Sequence, residues 1–245
     1  MNKFKKISTI KVDDDTSWKN SIFLTFDIDW AHDDVLMHTI ELVEKADVAA
    51  TWYVTHDTPL LKRLRQNPKF ELGIHPNFNF LLEGDARNGK NAYEVVARIV
   101  EVVPEAKSVR SHHMTQSSSL LEIFKKFDLT HDVNHFIPNN LRFELRPWFL
   151  WNGLIRVPYS WEDDIHMLYE SRLFQNSQRE PDKLILNESG LKVFDFHPIH
   201  IFMNTESFDR YERTRPLHQN STDLIKHRFD GYGTHSRLIK LLMLE

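Results

Sequence analysis

The sequence of 245 residues predicts an α/β fold built around a parallel sheet. In its first half, short apolar runs alternate with amphipathic helical patterns, an order that is typical of βαβ units. The length suits one domain, since α/β barrels routinely use about this many residues for a single domain. Ionisable clusters follow directly after the predicted strands, where parallel α/β folds build their functional sites.

The first predicted strand spans residues 22–29, an apolar run that ends in acid. A helix is predicted from Asp33, because Asp33 and Asp34 place acids in its first turn, where they complement the helix dipole. The other predicted elements of this half are strands over 48–54, 70–75 and 108–112 and helices over 59–65, 92–103 and 119–127. The third strand ends before Pro76, which disfavours further regular structure. Ser117 or Ser118 is a plausible cap for the helix over 119–127.

The second half is less regular. Residues 136–161 are rich in aromatic residues, proline and asparagine, and they predict extended segments or a long loop. A late strand is predicted over 192–198, again ending in His-Pro. We expect the polar residues 207–230 to wrap the surface or fold over the site, and residues 238–244 to form a final docking helix.

Charge and composition exclude several classes of protein function. The 31 basic and 35 acidic residues give a net charge of −4, which argues against a nucleic-acid partner bound through a basic surface. No apolar run reaches the ~20 residues needed to span a bilayer. The basic start lacks an apolar stretch behind it, so we expect no signal peptide and a cytoplasmic location. The absence of cysteine excludes thiolate ligands and nucleophiles, whereas 14 histidines point to proton or metal chemistry.

Two aspartates end the first predicted strand. Because the side chains of a strand alternate between its faces, Asp27 and Asp29 are expected to point to the same side. Converging carboxylates repel one another and lose hydration, which raises the pKa of one of them. A divalent cation on one removes that conflict and leaves the other free to act as a base. Capping of the following helix is the alternative, and the spacing alone leaves both interpretations open.

Three further clusters follow later strands. His75 closes the third strand, and Asn79 lies four residues on. The two residues either bind one metal ion together or are an ordinary strand-end histidine and a turn-forming asparagine. Arg110 could hold a carboxylate by bidentate pairing, with His112 or His113 as a ligand or substrate contact, or it could form a surface ion pair. The fourth cluster ends the late strand.

At that late strand, His197 could protonate a leaving amine if a carboxylate orients its other nitrogen. The acids after Trp161 are the candidate partners: Glu162, Asp163 and Asp164. Burial as a histidine satisfied by backbone groups is the alternative interpretation of His197.

Five motifs in this order form a pattern: Thr25-Phe26-Asp27-Ile28-Asp29, Ala50-Thr51-Trp52-Tyr53-Val54, Gly73-Ile74-His75, Arg110-Ser111-His112 and His197-Pro198. Together they resemble the polysaccharide deacetylase family, the NodB homology domain of the carbohydrate esterase 4 superfamily. That family opens with Thr-Phe-Asp-Asp and continues with Ala-Thr-Phe-Phe-Val, His-x-x-x-His, an arginine motif, an Asp/Trp motif and a terminal strand ending in His. The resemblance covers about residues 21–203.

The resemblance implies a distorted (β/α) barrel of seven strands, NodB-like, with residues 1–245 as one catalytic domain and 204–245 as its C-terminal wrap and helix. It also implies roles for the matching residues: Asp27 is the catalytic base, Asp29 and His75 are metal ligands, Arg110 orients the base, His197 is the general acid, and Asp163 is its candidate partner. Asn79 stands where the family has its second metal histidine, and we retain Asn79 as the third expected ligand.

Two departures characterise this sequence. The acids are spaced Asp-x-Asp rather than adjacent, and Trp161 to Asp164 match the Asp/Trp motif only loosely. With its His-Pro-Asn-Phe segment, the chain resembles a branch that is tied to bacterial surface-polysaccharide (O-antigen) synthesis.

These observations predict a metal-dependent hydrolase that removes an acyl group, expected to be acetyl, from an amino sugar or polysaccharide precursor, with zinc as the expected ion. His112, Trp161 and His200 are the expected substrate contacts. Five aromatic residues could form a stacking wall for a sugar ring or could simply pack in the core: Trp148, Phe149, Trp151, Tyr159 and Trp161. A hydrolase of a non-carbohydrate amide or ureide, and an inactive glycan-binding protein of the same fold, are the alternative functions.

Overall fold

The computed structural model describes residues 3–137, 144–172 and 190–244. Within these ranges nine strands form one curled sheet. The strands are β1 (Ile22–Asp27), β2 (Ala50–Val54), β3 (Phe70–Ile74), β4 (Ser108–Val109), β5 (His131–Phe136), β6 (Trp148–Phe149), β7 (Ile155–Tyr159), β8 (Trp161–Glu162) and β9 (Lys192–Phe196).

The strand order is β6-β7-β5-β4-β3-β2-β1-β9-β8. The neighbouring pairs are parallel, except for the antiparallel pair β6 and β7. The α/β fold with a parallel, barrel-like sheet is therefore confirmed, but the expected number of seven strands is wrong for the residues described. Two of the nine described strands, β6 and β8, have only two residues each, and strands of that length are too short to produce a hydrophobic period in the sequence.

Ten α-helices occur in the described residues. They are α1 (Asp33–Ala46), α2 (Leu60–Gln66), α3 (Asn79–Leu82), α4 (Ala92–Val102), α5 (Ser118–Lys126), α6 (Asp163–Arg172), α7 (Pro198–Met203), α8 (Phe208–Thr214), α9 (Ser221–Leu224) and α10 (Thr234–Leu242). Ser117 caps the start of α5 as predicted, because its hydroxyl accepts a hydrogen bond from the Leu120 backbone N–H at 3.2 Å.

The alternation of β1 sends its side chains into two separate cores. Leu24 and Phe26 pack against the helices, whereas Phe23 packs on the concave side of the sheet. Since side chains alternate along a strand, Thr25 and Asp27 share the concave face with Phe23. The first acid of the Asp-x-Asp segment therefore lies inside the curl of the sheet, at the carboxyl end of β1.

The amino-terminal segment fills part of the concave side. Ile7, Ile10 and Trp18 are buried there against Phe23 and Tyr53. Their removal from water is expected to stabilise the fold by about 1.5–3 kcal/mol for each fully buried apolar side chain.

Residues 207–230, expected only to wrap the surface or fold over the site, include short helices, and the last apolar pattern forms a helix as predicted. The last helix, α10, contacts α7 and α1; it begins four residues before the predicted docking helix and ends at Leu242. The assignment of residues 1–245 to one domain stays a prediction. No helix in the described ranges is long and apolar enough to cross a membrane.

Candidate active site

Arg110 holds two aspartates inside the curl of the sheet. Its Nη1 lies 2.9 Å from Oδ1 of Asp27 and also contacts Asp195, and its Nη2 donates to the Thr25 hydroxyl at 2.9 Å. Burial acts to lower the pKa of Arg110, but the charges of Asp195 and Asp27 raise it well above its ordinary value. Arg110 therefore stays charged and fixes one oxygen of Asp27, the position implied for the catalytic base.

Asp29 reaches the site from a turn rather than from the strand. β1 ends at Asp27, and the next residues include two in the left-handed region, Asp29 with φ 36° and Trp30 with φ 53°. Each costs roughly 1–2 kcal/mol for a residue that has a Cβ. The backbone N–H of Trp30 donates to the Thr55 hydroxyl at 3.1 Å, which helps to hold the turn. Asp27 and Asp29 do converge, since both carboxylates approach the His75 ring, but the turn rather than strand alternation directs Asp29 there.

Three potential metal-ligand atoms form a triangle at this edge of the sheet. His75 Nε2 lies 3.3 Å from Asp29 Oδ1 and 3.3 Å from His112 Nδ1, and His112 Nδ1 lies 3.5 Å from Asp29 Oδ1. His75 follows β3 and is 2 % exposed, and His112 follows β4. The carboxyl ends of adjacent parallel strands thus bring the three side chains together.

The triangle has the size and chemistry of a zinc site. In a tetrahedral site with ligands at about 2.0–2.1 Å from the ion, neighbouring ligand atoms lie about 3.3–3.4 Å apart. Asp29 Oδ1 is buried and makes no hydrogen bond to the described residues. Burial raises the pKa of Asp29, but the neighbouring His112 and His75 rings lower it well below its usual range, so the carboxylate is charged. The residues present therefore fit a divalent ion.

Asn79 lies beside this triangle but is bonded elsewhere. Its Nδ2 is 2.9 Å from Nδ1 of His113. The helix after Pro76 begins only at Asn79, so His75 and Asn79 do not lie on one helical turn as the spacing suggested. The role of Asn79 as a ligand stays a prediction, and the geometry points to His112 as the third ligand.

His197 and Asp163 form a hydrogen-bonded pair. His197 Nδ1 is 2.7 Å from Asp163 Oδ1, and the His197 backbone N–H donates to the other carboxylate oxygen at 2.8 Å. Burial lowers the pKa of His197, but Asp163 and Asp164 raise it well above its ordinary value. Its Nε2 faces the triangle, 3.7 Å from Asp29 Oδ2. His197 therefore has the environment of a general acid.

A second histidine–carboxylate pair lies next to the first. His200 Nε2 is 2.5 Å from Asp164 Oδ1, and Nδ1 is 3.3 Å from the Thr205 hydroxyl. His200 is 1 % exposed and uses both ring nitrogens within the protein. The expected direct contact of His200 with substrate therefore does not fit its position.

These groups share one cavity of about 660 Å³. Its lining includes residues of the clusters described above and residues of the C-terminal segment 206–219. A cavity of this size is in the range that binds small organic ligands, about 300–1,000 Å³.

Comparison with known proteins agrees with this geometry. A family model for WbmS-like polysaccharide deacetylases matches residues 24–215. The crystal structure of the polysaccharide deacetylase WbmS from Bordetella bronchiseptica, involved in O-antigen biosynthesis, is 46% identical in sequence; the match has a TM-score of 0.90 and covers 98% of this chain and 97% of that chain. The chain belongs to the WbmS-like polysaccharide deacetylase family. The predicted family resemblance and the prediction of a hydrolase are confirmed.

More distant structures match this WbmS-like deacetylase with low identity. A family 4 carbohydrate esterase from Streptomyces lividans, in complex with acetate, is 11% identical with a TM-score of 0.45, over 90% of this chain and 86% of that chain. A polysaccharide deacetylase from Mycobacterium smegmatis is 14% identical with a TM-score of 0.48, over 90% of each chain. No curated protein sequence matches the chain significantly.

The predicted aromatic wall does not form in the WbmS-like deacetylase. Trp161 is 2 % exposed and packs in the core, 4.6 Å from the Phe196 ring, so it cannot stack on a substrate. Trp148, Phe149 and Trp151 are exposed, and the cavity lining includes none of the three. Tyr159 does line the cavity. Its hydroxyl donates to Glu162 at 3.0 Å, and burial raises the pKa of Glu162 to about 8.

Sequence reasoning missed Asp195, which shares Arg110 with Asp27. It is fully buried on β9, and its Oδ1 accepts a hydrogen bond from Thr25 at 3.0 Å. A signal was present, because an acid two residues before His197 in a strand must share its face. Period-two analysis of the late strand would have placed both side chains inside the curl.

A buried network holds the loop that carries His112. Asn134 Oδ1 accepts from the Ser111 backbone N–H at 2.6 Å, and its Nδ2 donates to Asp132 at 2.5 Å. Arg156 in turn pairs with Asp132 at 2.7 Å and donates to Gln116 at 2.7 Å. Asn134 thus connects the buried pair of Asp132 and Arg156 to the residue between Arg110 and His112.

We expect Asn134→Ala to lower the free energy of unfolding by roughly 2–6 kcal/mol, because two buried groups lose a partner at about 1–3 kcal/mol each. The same change should weaken metal retention by about tenfold, since the support of a ligand loop affects the ligand. Urea unfolding and a competitive chelator titration measure the two effects. Asn88→Ala, outside the cavity lining, is the matched control. Wild-type stability and metal affinity in Asn134→Ala would contradict this role.

Proposed function

We propose that the chain is a metal-dependent deacetylase that removes the acetyl group from an amino sugar of a surface-polysaccharide precursor. The observation that carries this proposal is the triangle of Asp29, His75 and His112 next to an arginine-held Asp27 and a carboxylate-held His197. The WbmS relative, which is involved in O-antigen biosynthesis, supports the choice of substrate.

Two histidines and one carboxylate are a donor set that suits zinc, and in catalytic zinc sites three protein ligands leave a further position open. When bound, a divalent ion supplies Lewis-acid polarisation of the amide carbonyl and acidifies a water molecule. Two further candidate clusters of His and acid side chains occur in the described residues, and both include His197. They fit less well, because the His197 and His200 rings are already paired with Asp163 and Asp164, and because Asp27 and Asp195 are already paired with Arg110.

The chain's own residues perform the proton transfers. Asp27, with Oδ1 held by Arg110, takes the proton of the attacking water through its other oxygen. His197, protonated and oriented by Asp163, gives a proton from Nε2 to the departing nitrogen. That second transfer is essential because an amide anion is a very poor leaving group. The products are acetate and a free amine.

Acetate release from the zinc-loaded chain tests the proposal. We expect release from N-acetylglucosamine, N-acetylgalactosamine or their nucleotide-linked forms, loss of at least 10²-fold in rate on chelation, and recovery with Zn²⁺. A ureide such as allantoin is the comparison substrate for the alternative amide hydrolase. Hydrolysis of the ureide without acetate release would contradict the proposal, and so would sugar binding with no hydrolysis under any metal. The cytoplasmic location stays a prediction.

A further inference from the structure

The C-terminal segment 206–219 lines part of the cavity. Tyr211, Arg215 and His218 are among its lining residues. The segment is tied to the loop after β1, because Gln219 Nε2 donates to the Trp30 carbonyl at 3.0 Å. At its other end Arg210 pairs with Glu206 at 2.5 Å. The contact with Trp30 therefore attaches this segment to the turn that carries Asp29.

Asp164 presents a free acceptor to this cavity. One of its oxygens accepts from His200 at 2.5 Å, and its side chain is 32% exposed. Burial raises the pKa of Asp164, but His200 and His197 lower it to about 2, so the carboxylate is charged and can only accept hydrogen bonds. The proton transfers of the proposed reaction do not use this carboxylate.

Tyr211 presents a free donor to the same cavity, next to His200. Its ring is held between His200 and His218, with centroids 4.8 Å away on each side. Tyr211 is one of the residues that line the cavity, and its hydroxyl makes no hydrogen bond to the described residues. Burial and the charge of Asp164 raise the pKa of Tyr211, which keeps the phenol neutral and able to donate.

We propose that Asp164 and Tyr211 form a sugar-recognition subsite, in which the carboxylate accepts a hydrogen bond from one sugar hydroxyl and the phenol donates one to a neighbouring sugar oxygen. His200 contacts both residues and is a positioning residue for the pair. A charged acceptor next to a neutral donor matches vicinal hydroxyls, which carry both functions on adjacent carbons. A simple amide or ureide has no such hydroxyl pair. The inference deepens the proposed function, on which it rests.

The test uses two nearly isosteric variants of the zinc-loaded full chain, Tyr211→Phe and Asp164→Asn. The probes are glucosamine and galactosamine, which keep the hydroxyls but have no acetyl group to lose, and acetamide, which lacks the hydroxyls. We expect each variant to raise the dissociation constant for the amino sugars by about tenfold, the worth of one good hydrogen bond. Acetamide binding should not change. Calorimetric titration measures both, and thermal unfolding confirms that the variants fold.

Tyr93→Phe and Asp209→Asn are the matched controls, because Tyr93 is 50% exposed on α4 and the Asp209 side chain is 76% exposed on α8. Neither should alter amino-sugar binding. Variants that bind amino sugars as tightly as the wild type would overturn the subsite even if acetate release is normal. A wild-type chain that binds neither amino sugar would overturn it as well. Weakened binding in the two variants, without acetate release from any N-acetyl sugar, would support the subsite and contradict the deacetylase proposal.

Discussion

A His112→Ala chain is expected to lose its divalent ion, whereas an Asn79→Ala chain is expected to retain it. His112 Nδ1 is one corner of the triangle with Asp29 and His75, and the Asn79 amide is bonded to His113 instead. If the ligands of a zinc site share a binding free energy of about 10–16 kcal/mol, the loss of one should weaken affinity on the order of 10²–10³-fold. Metal analysis after dialysis and chelator competition measure this.

His75→Ala should lose the ion as His112→Ala does, because both supply imidazole ligands. His113→Ala is the control, since its ring stacks on His112 but lies outside the triangle. Asn79→His further tests whether His112 or Asn79 is the third metal ligand. It should tighten zinc binding only if position 79 faces the ion, because imidazole binds zinc better than an amide oxygen. Full metal content in His112→Ala, together with loss in Asn79→Ala, would restore the assignment made from the sequence.

Asp27→Asn and His197→Ala should each lower kcat on the order of 10²–10⁴-fold, the usual worth of a positioned base or acid. Metal content should stay close to wild type, because neither residue belongs to the triangle. Steady-state kinetics with acetate detection and metal analysis of the same samples measure the two quantities. Either variant retaining most of the rate would remove that residue from the mechanism.

The pair of His197 and Asp163 also predicts a pH effect. A general acid works while it is protonated, so the pKa of His197, raised by Asp163, carries activity to higher pH. Asp163→Asn removes that charge and lowers the pKa. The alkaline limb of kcat/KM should therefore move to lower pH, by more than in the exposed control Asp209→Asn. An alkaline limb that stays in place in Asp163→Asn would contradict the assignment of His197 as the acid.

Much of the fold could be predicted because its signals are local. The strands at 22, 50, 70 and 192 are runs of mostly buried residues, and burial on both faces of the sheet leaves a short, nearly continuous apolar run in the sequence. The location of the site followed from the rule that parallel strands end at one edge. The family motifs then indicated Asp27, Arg110 and His197 in positions that converge in the structure.

The sequence alone therefore determined five of the nine described strands, β1 to β4 and β9, as well as the edge that bears the site and the family that the chain resembles. Only the tertiary structure decided that His112 rather than Asn79 meets His75, that Asp29 reaches the triangle through a left-handed turn, and that Tyr211 faces the cavity. The physical reason is the separation in sequence between the residues that determine each feature. Periodicity and capping depend on residues a few positions apart, whereas ligand geometry depends on how loops from separate strands pack against each other to within a few tenths of an ångström.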